Sequence, residues 1–177
     1  MLKHLLVCSI VAGLSAFSAS AQPNLPSKVS AADQAFLRHA AEIDLSEIDL
    51  AQLAQQNATT DQVKQFAQRM ITDHTSNLQT LKDLAARTDV TLPDQLSTSN
   101  TALYARLTKV SGTDFDHAYI NAMVDGHTKA VALFKKESQT AADSGVRNYA
   151  SETLPVLQEH LRLAHQDAVQ IGATSRR

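Results

Sequence analysis

Four long stretches of the chain repeat apolar residues at intervals of three and four, the stripe that an amphipathic helix turns toward a core. The first runs from about Ala31 to Gln56 and includes Phe36, Leu37, Ala40, Ile43, Leu50 and Ala54. Ser30 is placed to cap it, and Asp33 stands in the first turn, where the helix dipole favours an acid. The second runs from about Thr60 to Arg87 through Val63, Phe66, Ala67, Met70, Ile71, Leu78, Leu81 and Leu84. Thr59 and Gln62 have the spacing of a capping box at its start. The connection between the two is short, which makes them antiparallel neighbours.

The third long helix begins near Asp114, capped by Thr113 with Asp116 three residues on, and continues to about Thr140. Asp143-Ser144-Gly145 is a turn, and the fourth helix follows from about Val146 to Ile171. Pro155 should kink it, because proline lacks the N–H and crowds the preceding turn. Gly172 is placed to end it. Between the second and third helices, Thr88 to Thr113 is longer and mixed, with a short helix expected over Asn100 to Val110. The pattern predicts an all-α fold: a ferritin-like four-helix bundle of two hairpins joined by a long crossover that contains a short helix.

The ends of the chain read differently. Residues 1–21 have the form of a cleavable signal peptide: Lys3 and His4, an apolar run from Leu5 to Phe17, and Ala19-Ser20-Ala21 as the cleavage site. Residues 22–30 form an aperiodic lead-in with two prolines, residues 31–172 the bundle domain, and residues 173–177 a polar tail. The expected destination is the periplasm, or the outer membrane by surface association. The apolar run is too short to span a bilayer, and no transmembrane span is expected in the mature chain.

Charge and cysteine then narrow the chemistry. With 16 basic and 18 acidic residues in all, the weakly acidic balance argues against a nucleic-acid partner, which normally needs a basic face. The single cysteine, Cys8, lies inside the signal, so the mature protein has no disulfide and no thiolate. No glycine loop for phosphate and no nucleophile elbow is present, and no organic cofactor is expected.

What remains is a set of polar residues interrupting the apolar stripes. Glu47 falls among Phe36, Ala40, Ile43 and Leu50 on the first helix. His74, His127 and His160 fall on the stripes of the second, third and fourth, each near mid-helix. In a bundle of matched helices the four meet at one level. Three imidazoles and a carboxylate could hold one transition metal, Zn, Cu, Mn or Fe. The competing reading is a buried hydrogen-bonded network, since a histidine on an apolar face is ordinarily a satisfied core residue. Met70 and Met123 each precede a candidate histidine by four and could add thioether donors suited to copper, or could simply fill the core. Tyr119 could reach the site. Asp73 and Glu159 directly precede His74 and His160 and point elsewhere by about 100°, which makes them supporting or surface groups. His39, His117 and His165 lie off the stripes.

These residues sit in stretches that resemble a known family. Ala40 to Glu42 through Ser46 to Leu50, Phe66 to His74, Val90 to Pro93, Phe115 to Tyr119 through Met123 to His127, and Thr153 to His160 are similar to the exported bacterial domain of unknown function 4142. That family is often labelled a predicted outer membrane protein and is placed with ferritin-like proteins. The resemblance spans roughly Ala32 to Ala168 and implies the bundle. The wider ferritin-like group implies a di-metal carboxylate centre with Glu-x-x-His on the second and fourth helices. Here Ile71 and Leu157 stand three before His74 and His160, and the third helix offers His127 rather than a glutamate. A single histidine-rich site, or a bundle that has lost metal chemistry, therefore fits better than iron storage. The functions left open are metal handling or stress protection, a non-metal interaction module for an envelope partner, and a small oxidase using the metal with Tyr119.

Overall fold

The computed structural model describes residues 29–174, so the expected signal peptide, most of the lead-in and the last three residues of the expected tail lie outside the described residues. The five helices are α1 (Ala31–Asn57), α2 (Asp61–Thr88), α3 (Thr98–Leu107), α4 (Gly112–Thr140) and α5 (Ser144–Thr174). They form an all-α, ferritin-like four-helix bundle. Helices α1 and α2 pair as one hairpin and α4 and α5 as the other; α2 meets α5 and α1 meets α4 across the bundle, with α3 against α1 and α4. No described helix is long and apolar enough to cross a membrane.

Two buried aspartates lock the hairpins together. Asp33, in the first turn of α1, accepts hydrogen bonds from the backbone N–H groups of Ala142 (3.1 Å) and Asp143 (3.0 Å) in the α4–α5 turn. Asp116, near the start of α4, accepts from the N–H groups of Thr59 (2.9 Å) and Thr60 (3.1 Å) in the α1–α2 turn, and from the Thr59 hydroxyl (2.7 Å). Each carboxyl group thus satisfies backbone donors that burial would otherwise leave costly. The contacts also fix direction. The start of α4 lies beside the end of α1, so the crossover from the end of α2 travels the length of the bundle.

These contacts correct the capping read from sequence. Thr59 is bound to Asp116, so the box with Gln62 does not form; Thr60 caps α2 by accepting from Val63 N–H. Gln62 donates instead to Asp167 of α5. Helix α4 starts at Gly112 after Ser111, which makes no side-chain cap; Thr113 lies inside the helix, and Asp116 serves the other hairpin. The short helix starts and ends earlier than expected. Helix α5 passes Pro155 without ending and runs beyond Gly172 to Thr174. Pro155 and Ser151, whose carbonyl the proline leaves without its helical donor, both lie on the exposed side.

The apolar core has two parts. One, toward the start of α1, gathers Phe36, Leu37, Leu81, Phe134, Val146 and Tyr149. The other gathers Leu50, Val63, Phe66, Met70, Phe115, Tyr119 and Ile120. Fully burying aliphatic or aromatic side chains of this size contributes about 1.5–3 kcal/mol each, against the entropy of ordering them. Between the two parts lies a polar layer.

Candidate metal centre

His74 of α2, His127 of α4 and His160 of α5 are each no more than 2 % exposed. Their ring centroids form a triangle with sides of 5.3, 5.3 and 5.7 Å. One nitrogen from each ring lies within 4.8 Å of the other two. At that outer limit the centre of the triangle is about 2.8 Å from each nitrogen, so a shift of under about 1 Å per ring reaches the ~2.0–2.1 Å of a metal–imidazole bond.

Each ring is oriented by a different acceptor. The His127 Nδ1–H donates to the Met123 carbonyl at 2.9 Å; a carbonyl can only accept, so the proton of the neutral ring is on Nδ1. His74 Nδ1 donates to Asp44 Oδ1 at 2.8 Å, and Asn77 donates to both oxygens of the same carboxyl group. His160 Nε2 donates to Asp73 Oδ2 at 2.8 Å. The remaining nitrogens, His74 Nε2, His127 Nε2 and His160 Nδ1, are buried with no hydrogen-bond partner among the described residues. An imidazole fixed by a carboxylate or carbonyl on one nitrogen and bare on the other is the arrangement found at histidine metal ligands.

The electrostatics keep two rings neutral. Burial lowers the His160 pKa to about 4, against the hydrogen bond to Asp73 that favours the charged form. Burial likewise lowers that of His127. For His74, burial opposes charge, but the Asp44 hydrogen bond and the nearby Glu47, Asp44 and Asp73 outweigh it and raise the pKa. Asp44 is itself pushed up by burial. Two neutral, partnerless imidazole nitrogens beside a third are electron-pair donors with nothing to donate to, a state that burial makes unfavourable and a cation would relieve.

Glu47 stands at the edge of this group. Its Oε1 is 3.9 Å from His127 Nδ1, the nitrogen turned to the backbone, and its Oε2 is buried without a partner. The three histidines form the close cluster, and Glu47 is not part of it. Tyr119 is fully buried with a partnerless hydroxyl; burial raises its pKa well above the ordinary value, helped by Glu47 and Asp167. Met70 and Met123 pack in the core, and Met123 serves the site through its carbonyl. Asp73 orients a histidine, but on the opposite helix to its sequence neighbour, while Arg69 holds it from α2. Glu159 pairs with Arg162 at the surface. His39 and His165 are exposed and His117 is half-buried.

Sequence reasoning missed Asp44 and Asn77. Asn77 also donates to Tyr149 Oη and accepts from the Thr153 hydroxyl, joining α2 to α5. The available signal was spacing: Asp44 is three before Glu47 and Asn77 three after His74, each on the same helical face.

Two cavities flank the layer. One of about 560 Å³ opens between α2 and α5 and is lined by Asp73, His74, Asn77, Thr153 and His160, among others. The other, about 280 Å³, lies between α1, α3 and α4 and is lined by Ser46, Glu47, Asn100, Asp125, Gly126 and Lys129, among others.

The protein is thus a ferritin-like helical bundle with three buried histidines that could hold a metal ion. Residues 18–166 match the family described as a domain of unknown function, DUF4142, and the chain belongs to that family. Its fold is similar to the crystal structure of a DUF305 fragment from Deinococcus radiodurans, with a TM-score of 0.72 and 14% identity over 80% of this chain and 98% of that one. At that identity the likeness is one of fold. No curated protein matches the chain.

Proposed function

We propose that the protein is an exported metal-binding bundle that holds one transition metal through His74, His127 and His160, with Glu47 facing the same layer, and serves metal handling or stress protection in the periplasm. The observation that carries this reading is the convergence of three buried histidines, one ring nitrogen of each within 4.8 Å of the others, each ring having one partnerless nitrogen and one held by Asp44, the Met123 carbonyl or Asp73. The all-nitrogen cluster with nearby carboxyl groups suits Zn, Cu(II), Fe or Mn rather than a thiolate-loving ion. Export rests on the basic, apolar and small-residue pattern of residues 1–21.

The test is elemental mass spectrometry of untagged protein purified from the periplasm without chelator. About one equivalent of a single metal is expected, and its loss in His127→Ala. Absence of metal after challenge with Zn, Cu, Mn and Fe would contradict the reading and leave the layer as a hydrogen-bonded network. The full pairing of Asp44 with His74 and Asn77 favours that second reading for the α2 side of the layer.

A further inference from the structure

The three histidines are buried, and the two flanking cavities are candidate routes by which a cation reaches the layer. On the α2–α5 side the polar groups of the layer are hydrogen-bonded to one another. His160 Nε2–H points to Asp73 Oδ2, Arg69 Nε–H donates to the same oxygen, and the Asn77 amide donates to Asp44 and Tyr149. Asp73 Oδ2 there is committed to two donors, His160 and Arg69. On the α1–α3–α4 side stands Glu47, only 6 % exposed, with Oε2 buried and without a partner. Its Oε1 is 3.9 Å from His127, so the side chain touches both the cavity and the histidine layer.

The backbone makes room for it. A Cβ built on Gly126 would come within 3.3 Å of Glu47 Oε1, so the absence of a side chain at this position on α4 lets the carboxyl group lie against the helix. A buried oxygen with no donor is a costly arrangement, and a passing cation is a partner that would relieve it.

We propose that Glu47 is the transfer ligand of the site: a divalent cation enters the α1–α3–α4 cavity, is taken up by Glu47 and is passed to the three histidines. This rests on the three-histidine reading above.

Stopped-flow uptake of Co2+ by the purified protein, stripped of metal, tests it through the absorbance of the histidine-bound ion. Glu47→Gln is expected to slow uptake at least about tenfold, as loss of a guiding charge does, while one equivalent still binds with Kd unchanged. Gly126→Ala should slow it less. Lys129→Trp, at the exposed mouth of the same cavity, should also slow it, and Val156→Trp, on the α2–α5 cavity, should not. Wild-type rates in Glu47→Gln would overturn the proposal, as would slowing by Val156→Trp alone. A loss of affinity matching the loss of rate would make Glu47 a resident ligand and overturn the transfer role. If the wild type binds no Co2+ at all, the three-histidine reading fails first.

Discussion

The two hairpins are built on one register and carry different chemistry. Asp33 and Asp116 lie as far apart in sequence as the pairs of N–H groups they hold, Thr59 from Ala142 and Thr60 from Asp143. At the same separation Phe36 matches Tyr119, Leu37 matches Ile120, Val63 matches Val146 and Ala67 matches Ala150, all buried. In the polar layer the correspondence holds in position and breaks in kind. Asp44 matches His127, Asn77 matches His160, Glu47 matches Ala130 and His74 matches Leu157. One hairpin supplies most of the acceptors and the other two of the three rings. The shared positions hold the bundle together, and the unmatched ones create the site.

The largest effect expected from breaking this division is on the rings. His74→Ala, His127→Ala or His160→Ala should each abolish stoichiometric metal and the rise in melting temperature that the metal gives; calorimetry with and without metal reads both. The matched aspartates should respond alike. Asp33→Ala and Asp116→Ala each strand two backbone N–H groups, at a cost of about 2–3 kcal/mol by denaturant unfolding. A large inequality between them would show that the register is not shared in energy.

Acid should act through the unmatched rings. In the metal-free protein His160 is neutral down to about pH 4, whereas in the unfolded chain it takes a proton near pH 6.5. As pH falls through that window the unfolded state binds a proton that the folded state refuses, so stability drops, by roughly 3 kcal/mol from this residue. The lowered His127 acts with the same sign, and the raised Asp44 with the opposite one. The loss of stability between pH 6.5 and pH 4 should therefore be smaller in His160→Gln than in wild type.

Smaller effects distinguish the acceptors. Asp44→Asn should weaken metal binding by about 10–100-fold and Asp73→Asn by less, because the Asp44 side chain is 2% exposed and that of Asp73 30%. Competition titration against a chelator reads the order. Ser30→Ala should remove only the α1 cap, whose hydroxyl accepts from Asp33 N–H at 3.0 Å, at about 1 kcal/mol.

The fold was legible because helical periodicity and turn residues are local. Phe36, Leu37, Val63 and Ala67 declare their faces within a few turns, and the short first connection leaves the hairpin little choice. The three histidines were legible for the same reason, each interrupting an apolar stripe at mid-helix. Asp44 was not, because the stripe was drawn through Ile43; the structure turns Asp44 inward and leaves Ile43 half-buried. Asp116 resembled a cap for its own helix, and only the packing of α4 against the α1–α2 turn gives it a different task. The bond from Asp73 to His160 joins two helices whose relative register no local pattern contains.

The central claim is that one ion sits among the bare nitrogens of three rings. A crystal structure of the metal-loaded protein, with anomalous data at the metal's absorption edge, tests it most directly. The account predicts one peak about 2.0–2.1 Å from His74 Nε2, His127 Nε2 and His160 Nδ1, with the Asp44, Met123 and Asp73 hydrogen bonds retained. A peak elsewhere, or a layer that stays empty in the presence of excess metal, would contradict it.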